Sequence, residues 1–426
     1  MIFDILRFIF DEGIGHGSGP YSILEDGTPL TTRRRFFACS IVRVNRAFNE
    51  VGTKMLWTRV NVETAEDLKY LGLAASCNPS LGAMTKRLEI GIHGPVLSPL
   101  LERILQYMDG LDTFWYWIVA EEPSSFHRWP WMDLTHADVV VTSLNKFCPK
   151  LRNIVLETQN RLSPTAQCVF ELLKVQKNLK VLHLDSITLR CDVRDGYYDP
   201  CIPYIPPSFQ AESLRVMSLG IQGDWEDWDG KTDAVGEFWR RFAVAAFPRL
   251  ESLYFPSFNP NLLPFVRSQS TGIRHLQITS FNRHFYSDPF EPTRTHILDI
   301  ATDVVHLTWR LDIPHGTGVK RLKTWKPLPT HHASLQRITI LPDSYSCRRS
   351  RDLTRLLERT LKGILVADLP KLRVVEIEDT IAMREDVVSS RRISRLLKEL
   401  RDKGMGGVTV DILDTGASGQ GLEAPL

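Results

Sequence analysis

One short pattern of apolar and variable positions recurs along the chain: apolar, two variable, apolar, one variable, apolar. It stands at Leu151-Ile154-Leu156, Leu179-Leu182-Leu184, Leu214-Met217-Leu219 and Leu250-Leu253-Phe255. It returns at Ile273-Leu276-Ile278, Val304-Leu307-Trp309, Leu335-Ile338-Ile340 and Leu372-Val375-Ile377. Two weaker copies precede these, around Leu88-Ile90 and at Leu111-Phe114-Tyr116, and a last strand is expected over Val408 to Leu413. Alternation of this kind marks a half-buried strand. Steps of 23 to 37 residues separate the eight clear copies, enough for a strand, a turn and a helix. Several intervening segments carry a 3.6-residue period. Ser163-Pro164 reads as an N-cap with proline at the first helical position, Ser98-Pro99 opens a similar helix, and Gly236 to Phe247, Leu353 to Val366 and Ser390 to Lys403 follow. Strand and helix alternating at about 30 residues predict an α/β solenoid.

Alternation assigns faces. The fourth and sixth positions point into the core, and the third and fifth to the opposite, inner surface. That surface then carries Asn153, His183, Ser218, Tyr254, His275, Gln277, His306, Thr308, Arg337, Thr339 and Glu376. The second position is charged in six of the eight copies. Burying six charges is implausible, so each regular strand is expected to begin after it.

The pattern resembles the leucine-rich repeat, over about residues 85 to 413. Residues such as Gln159, Ile187 and Gln222 stand where extracellular members place a buried Asn. The resemblance is therefore to the divergent, intracellular repeats.

Composition narrows the class. Of 426 residues, 43% are hydrophobic and 24% charged, a globular balance. Lys plus Arg number 52 and Asp plus Glu 50, a formal net charge of +2, which gives no electrostatic case for nucleic acid or an anionic membrane. The seven cysteines are scattered and none forms a C-x-x-C pair. That usage implies a reducing compartment, cytoplasmic or nuclear. Residues 1–10 read as an amphipathic helix rather than a signal peptide, and no run approaches the ~20 apolar residues of a spanning helix.

The first 62 residues read as a separate helical module, followed by the solenoid over 63–413 and a disordered tail from 414. Ile2, Ile5, Leu6, Ile9 and Phe10 share one helical face, and a Gly-rich polar segment follows. The stretch from Phe36 to Val60 has Ile41, Val44, Phe48, Val51, Leu56 and Trp57 as its apolar positions. Thr64 to Asp67 reads as a capping box for the next helix. The run Asp4-Ile5-Leu6-Arg7-Phe8-Ile9-Phe10, then Val44 to Val51, then Leu56-Trp57 resembles the F-box, in particular F-box proteins of filamentous and mushroom-forming fungi, where leucine-rich repeats commonly follow. The resemblance implies a substrate-recognition adaptor of an SCF-type ubiquitin ligase, with a Skp-type adaptor and the cullin ligase core as partners and no cofactor. Leu6, Ile9, Phe10, Val44, Phe48, Leu56 and Trp57 would carry the adaptor contact, since buried aromatic and aliphatic anchors dominate such interfaces. The alternative is an interaction scaffold without a ligase role, whose N-terminal helices only cap the first repeat.

No residue pattern points to catalysis, and no enzyme is expected. Gly13 to Pro20 reads as a flexible insertion, and Asp229-Gly230-Lys231-Thr232 as a turn, because neither has the context of a phosphate loop. His275 and His306 hold the same position in successive repeats, which brings two imidazoles together if the strands are neighbours. Zinc needs three or four protein ligands, so no metal site is assigned. Candidate target-binding residues are Tyr254, His275, His306 and Arg337 on the inner face, with Tyr197, Tyr198, Trp225 and Trp228 in long inter-strand loops. Phe281 to Phe290 is a further aromatic loop. Tyr and Trp in such loops serve as anchors for a partner, or fold back over the solenoid's edge.

Overall fold

The computed structural model describes residues 46–93, 98–119, 136–157, 163–189, 191–194, 197–200, 202–222, 234–255, 262–269, 272–279, 297–311, 331–342, 350–379, 390–402 and 409–414. The chain divides into two units, Met1–Cys201 with Ala417–Leu426, and Ile202–Gly416. Both are α/β, and in each the strands of the main sheet run parallel in chain order.

In the first unit the described chain opens with α1 (Arg46–Thr58), which passes without a linker into β1 (Arg59–Val62). Then come α2 (Ala65–Cys77), α3 (Pro79–Ala83), β2 (Arg87–His93), α4 (Ser98–Leu105) and β3 (Thr113–Val119). α5 (His136–Phe147), β4 (Asn153–Glu157), α6 (Ala166–Val175) and β5 (Val181–Thr188) complete the repeats. The five strands pair as neighbours in the order β1 to β5. A hairpin of β6 (Cys191–Arg194) and β7 (Tyr197–Pro200) follows.

The second unit has seven parallel strands: β8 (Val216–Gln222), β9 (Ser252–Phe255), β10 (His275–Thr279), β11 (His306–Leu311), β12 (Arg337–Pro342), β13 (Val374–Asp379) and β14 (Thr409–Asp414). They pair in that order. Between them lie α7 (Ala234–Phe242), α8 (Leu263–Ser268), α9 (Ile297–Ile300), α10 (Ser350–Val366) and α11 (Arg391–Asp402). Such parallel strands joined by helices are compatible with a solenoid-like α/β fold.

The repeat positions explain the burial. All eight clear copies have their first, fourth and sixth residues in the core, and the two weaker copies bury Leu88, Ile90, Phe114 and Tyr116 as completely. Every one of the eight strands begins at the third position. The charged second residues Arg152, Lys180, Arg215, Glu251, Arg274 and Arg373 are all exposed. Their carbonyls are not idle. Asp112 O accepts from the N–H groups of both Arg152 and Asn153, at 2.8 and 3.0 Å, and Arg152 O does the same for Lys180 and Val181. The same double bond recurs along the second unit from Arg215 to Gln336. This backbone row registers neighbouring strands before the regular ladder starts.

On the helical side, α2, α4, α5 and α6 pack in sequence, as do α7, α8 and α9, and α10 with α11. A Cβ at Gly72 would stand 3.2 Å from Ile104, so α2 and α4 approach closely. In the second unit an aromatic cluster fills the space between α7, β9 and α8. Trp239 lies 5.2 Å from Phe238, 5.8 Å from Phe255 and 5.3 Å from Phe265, ring centre to ring centre.

Three polar side chains, Gln176 and His332 buried and Gln269 half-buried, bridge successive repeats. Gln176 Nε2 donates to Leu144 O at 3.4 Å and Cys148 O at 3.3 Å, the carbonyls that end α5. Gln269 Nε2 donates to Ala245 O at 2.8 Å, and its Oε1 accepts from Phe247 N. His332 Nε2 meets Ala301 O at 3.2 Å, while its Nδ1 accepts from Leu335 N. Each satisfies chain ends that a turn leaves open. Gln176→Ala should cost about 1–3 kcal/mol in urea denaturation, because it strands buried carbonyls. A loss below about 0.5 kcal/mol would mean that water replaces the amide there.

Several expectations need correction or are completed here. The cap of α6 is Thr165, whose hydroxyl accepts from Cys168 N at 3.2 Å, not Ser163. Pro164 therefore precedes the cap instead of opening the helix. Thr64 caps α2 by accepting from Asp67 N at 3.0 Å. Residues 59–62, grouped above with the N-terminal module, are the first strand of the sheet. The described residues of 63–413 fall into two compact units, divided at 201/202. In the segment 202–209, Ile202, Ile205 and Phe209 are buried and Tyr204 is exposed. Among the described residues no helix is long and apolar enough to cross a membrane.

Candidate functional site

The third-position residues Ser252, His275, His306, Arg337 and Val374 stand in one row, each opposite the next in parallel register. Two residues on, Tyr254, Gln277, Thr308, Thr339 and Glu376 form a second row. Strand alternation puts both rows on the face opposite the buried fourth and sixth residues. The sequence-assigned residues Tyr254, His275, His306 and Arg337 are thereby brought together on four consecutive strands.

Their chemistry is a connected network. The His275 and His306 rings meet edge to face, 5.6 Å apart. His306 Nε2 is 2.9 Å from Thr339 Oγ1. Thr339 Oγ1 donates to Glu376 Oε2 at 3.0 Å, and Arg337 holds both oxygens of the same carboxylate, through Nε at 3.0 Å and through Nη2. Since the Thr339 hydroxyl gives its one proton to Glu376, the network assigns the His306 proton to Nε2. Glu376 is buried, which by itself raises its pKa, but the bonds from Arg337 and Thr339 and the Arg337 charge together hold it below the usual carboxylate range. Burial pushes His306 down to about 4, with His275 and Arg337 adding to the effect against the opposing Glu376. His275 is lowered too, mainly by burial. The pair is neutral at pH 7, a hydrogen-bonding surface and not a cationic one. Tyr254 keeps its proton, its pKa raised by burial.

A pH dependence follows. His306 has an ordinary pKa of 6.5 when unfolded and about 4 when folded. The unfolded chain binds the extra proton between these values, so the stability present above pH 6.5 is lost as pH falls toward 4. The loss amounts to about 3 kcal/mol at most. His306→Gln should flatten the urea-denaturation profile in that window. A variant profile parallel to the wild type would show that His306 is not the titrating group.

The corresponding face of the first unit is built differently. Glu89, 1% exposed, takes both Arg59, at 2.8 Å, and Arg87 on one carboxylate oxygen. The Arg87 guanidinium lies 5.6 Å from the Trp115 ring, and Trp115 meets Trp117 edge to face at 5.9 Å. The Trp117 ring occupies the space over Gly91, where any Cβ would stand 1.9 Å from it. His183 is buried and 3.6 Å from Asp185. The inner surface is thus more buried than alternation alone predicts: Ser218, Thr339, Glu376, His183 and Glu89 are all below a tenth exposed. Cross-strand polar bonds, not open water, satisfy several of them.

Of the expected adaptor-binding residues, Leu6, Ile9, Phe10 and Val44 lie outside the described residues. Phe48 is on α1, and Leu56 and Trp57 sit partly buried in its last turn. Tyr197 and Tyr198 belong to β7, while Trp225, Trp228, the Gly-rich segment and Phe281 to Phe290 fall outside the described residues. The β6–β7 hairpin was not expected. Its signal was present, since the register pairs Arg194 with Tyr197 across Asp195-Gly196, the dipeptide of tight hairpin turns. Burial drives the Cys148 thiol up to about 12 and raises Cys168 as well, so neither supplies a thiolate at neutral pH. No group of three metal-ligating side chains occurs among the described residues.

Fold and site together describe an α/β protein of parallel strand-helix repeats, each of its two units carrying polar and aromatic side chains on a sheet face. No protein-family model matches the chain, and no curated protein matches it.

Proposed function

We propose that this chain is a substrate-recognition adaptor of an SCF-type ubiquitin ligase: an F-box-like N-terminal segment docks on a Skp-type adaptor, and a leucine-rich-repeat-like solenoid holds a target protein. The mechanism is proximity, with ubiquitin transferred by a partner enzyme and no covalent step here. The observation that supports target recognition is the in-register row Ser252–His275–His306–Arg337 with its companion Tyr254–Gln277–Thr308–Thr339–Glu376. Neutral imidazoles, amide, hydroxyls and an Arg–Glu fork, held rigidly on strands, are groups that read a protein surface. The adaptor half rests on the resemblance of residues 4–57.

A second reading has its own support. α1 runs straight into β1, which pairs with β2, so α1 is built as the first repeat's neighbour and suits a cap. The two readings differ in one result. A ligase receptor forms a stoichiometric complex with a Skp-type adaptor on co-expression, whereas a capped scaffold elutes alone.

A further inference from the structure

The strand starts of the first unit form a basic edge. At the second and third pattern positions of β1 to β5 stand Thr58-Arg59, Lys86-Arg87, Asp112-Thr113, Arg152-Asn153 and Lys180-Val181. That is five cations against one acid, in a chain whose total formal charge is only +2. Backbone bonds from Lys86 N to Thr58 O, Asp112 N to Lys86 O, Arg152 N to Asp112 O and Lys180 N to Arg152 O, at 2.7–2.9 Å, fix these residues in one line. Lys86, Arg152 and Lys180 are exposed. Asp112 is paired with Arg152 at 3.2 Å. Glu89 compensates one charge, but it serves both Arg59 and Arg87, two like charges opposite each other in register. The far end of the same strands is acidic, with Glu63 beyond β1, Glu157 on β4 and Asp185 on β5. The charge is therefore polarised along the strands over about 15 Å.

We propose that this edge is a docking site for an acidic segment of a partner protein, laid across the strand starts. Four strand steps from β1 to β5 span about 19 Å, the length of roughly six extended residues. Arg and Lys in a row offer carboxylates the charge-assisted bonds that Glu89 alone leaves incomplete. Nucleic acid fits less well. Trp115 and Trp117 are buried, 8% and 6% exposed, and offer no stacking platform, and the acidic far end repels a second phosphate row. The inference rests on reading the sheet as an interaction surface, but not on the ligase role.

The test uses the full chain and a fluorescein-labelled 12-residue peptide of alternating Glu and Ser, with a Gln-Ser peptide and a 12-nucleotide single-stranded DNA as comparators. Fluorescence anisotropy should show saturable binding of the Glu peptide that weakens in 0.5 M salt, and at least tenfold weaker binding of the Gln peptide. Lys86→Gln/Arg152→Gln/Lys180→Gln should weaken the Glu peptide about tenfold with the urea midpoint unchanged. If that variant is destabilised, Lys86→Gln/Lys180→Gln, which breaks no ion pair, should weaken it about fivefold. Arg274→Gln/Arg373→Gln on the other unit should leave it unchanged. Absence of binding, equal binding of the Gln peptide, no effect of the edge substitutions, or preference for the DNA overturns the proposal. The edge variant should still bind a Skp-type adaptor, so failure here is distinct from failure of the ligase reading.

Discussion

Trp239→Ala should lower the stability of the second unit by about 3–5 kcal/mol, the range for emptying a fully buried large aromatic site. Trp239 is 2% exposed and touches rings from three elements: Phe238 and Phe242 on its own helix, Phe255 on β9 and Phe265 on α8. Those rings are held by the backbones of two helices and a strand, which limits their collapse into the space. Trp239→Phe keeps an aromatic ring at the site and should recover most of the loss. Urea denaturation followed by far-UV circular dichroism measures both. A Trp239→Ala loss under about 1 kcal/mol would show that the cluster does not join helix to strand as described.

How far this architecture can be read from sequence depends on which forces act on each residue. The strands were legible because the first, fourth and sixth positions are buried without exception, and burial tolerates only apolar side chains there. The strand start at position three was legible for the complementary reason: six charged residues could not be buried. The meeting of His275 with His306 followed from equal repeat position. The pairing of Arg337 with Glu376 did not, because it needs the register of β12 against β13 across 37 residues of sequence, the longest step between the eight clear copies. β1 was missed because Arg59-Val60-Asn61-Val62 is four residues long and continues an apolar helical pattern. The bridges Gln176, Gln269 and His332 were missed for a different reason. The resemblance to leucine-rich repeats points three residues after the last pattern leucine, whereas these side chains lie three or four residues before the first one, where the preceding helix presents its terminal carbonyls. Glu89 shows the limit of alternation as a guide: it lies on the expected open face yet is buried, because two arginines close over it.

The second large effect concerns the N-terminal segment. Phe48→Ala with Trp57→Ala should abolish binding to a Skp-type adaptor while leaving the unfolding free energy of the chain, from urea denaturation, within about 1–2 kcal/mol of wild type. Two aromatic anchors at a protein interface commonly contribute 2 kcal/mol or more each, enough together to remove a complex of moderate affinity. Trp57 is partly buried in the last turn of α1, so part of its loss will appear as stability, and the comparison of binding with the urea midpoint separates the two. If α1 is only a cap, the same substitutions should destabilise the first unit and leave no adaptor contact to lose.

The most direct measurement is co-expression of the full chain with a Skp-type adaptor, followed by size-exclusion chromatography. The account predicts a one-to-one complex that survives the column and disappears with Phe48→Ala/Trp57→Ala. A folded chain that elutes alone in the presence of excess adaptor would contradict the ligase role and leave a repeat scaffold whose first helix caps the sheet.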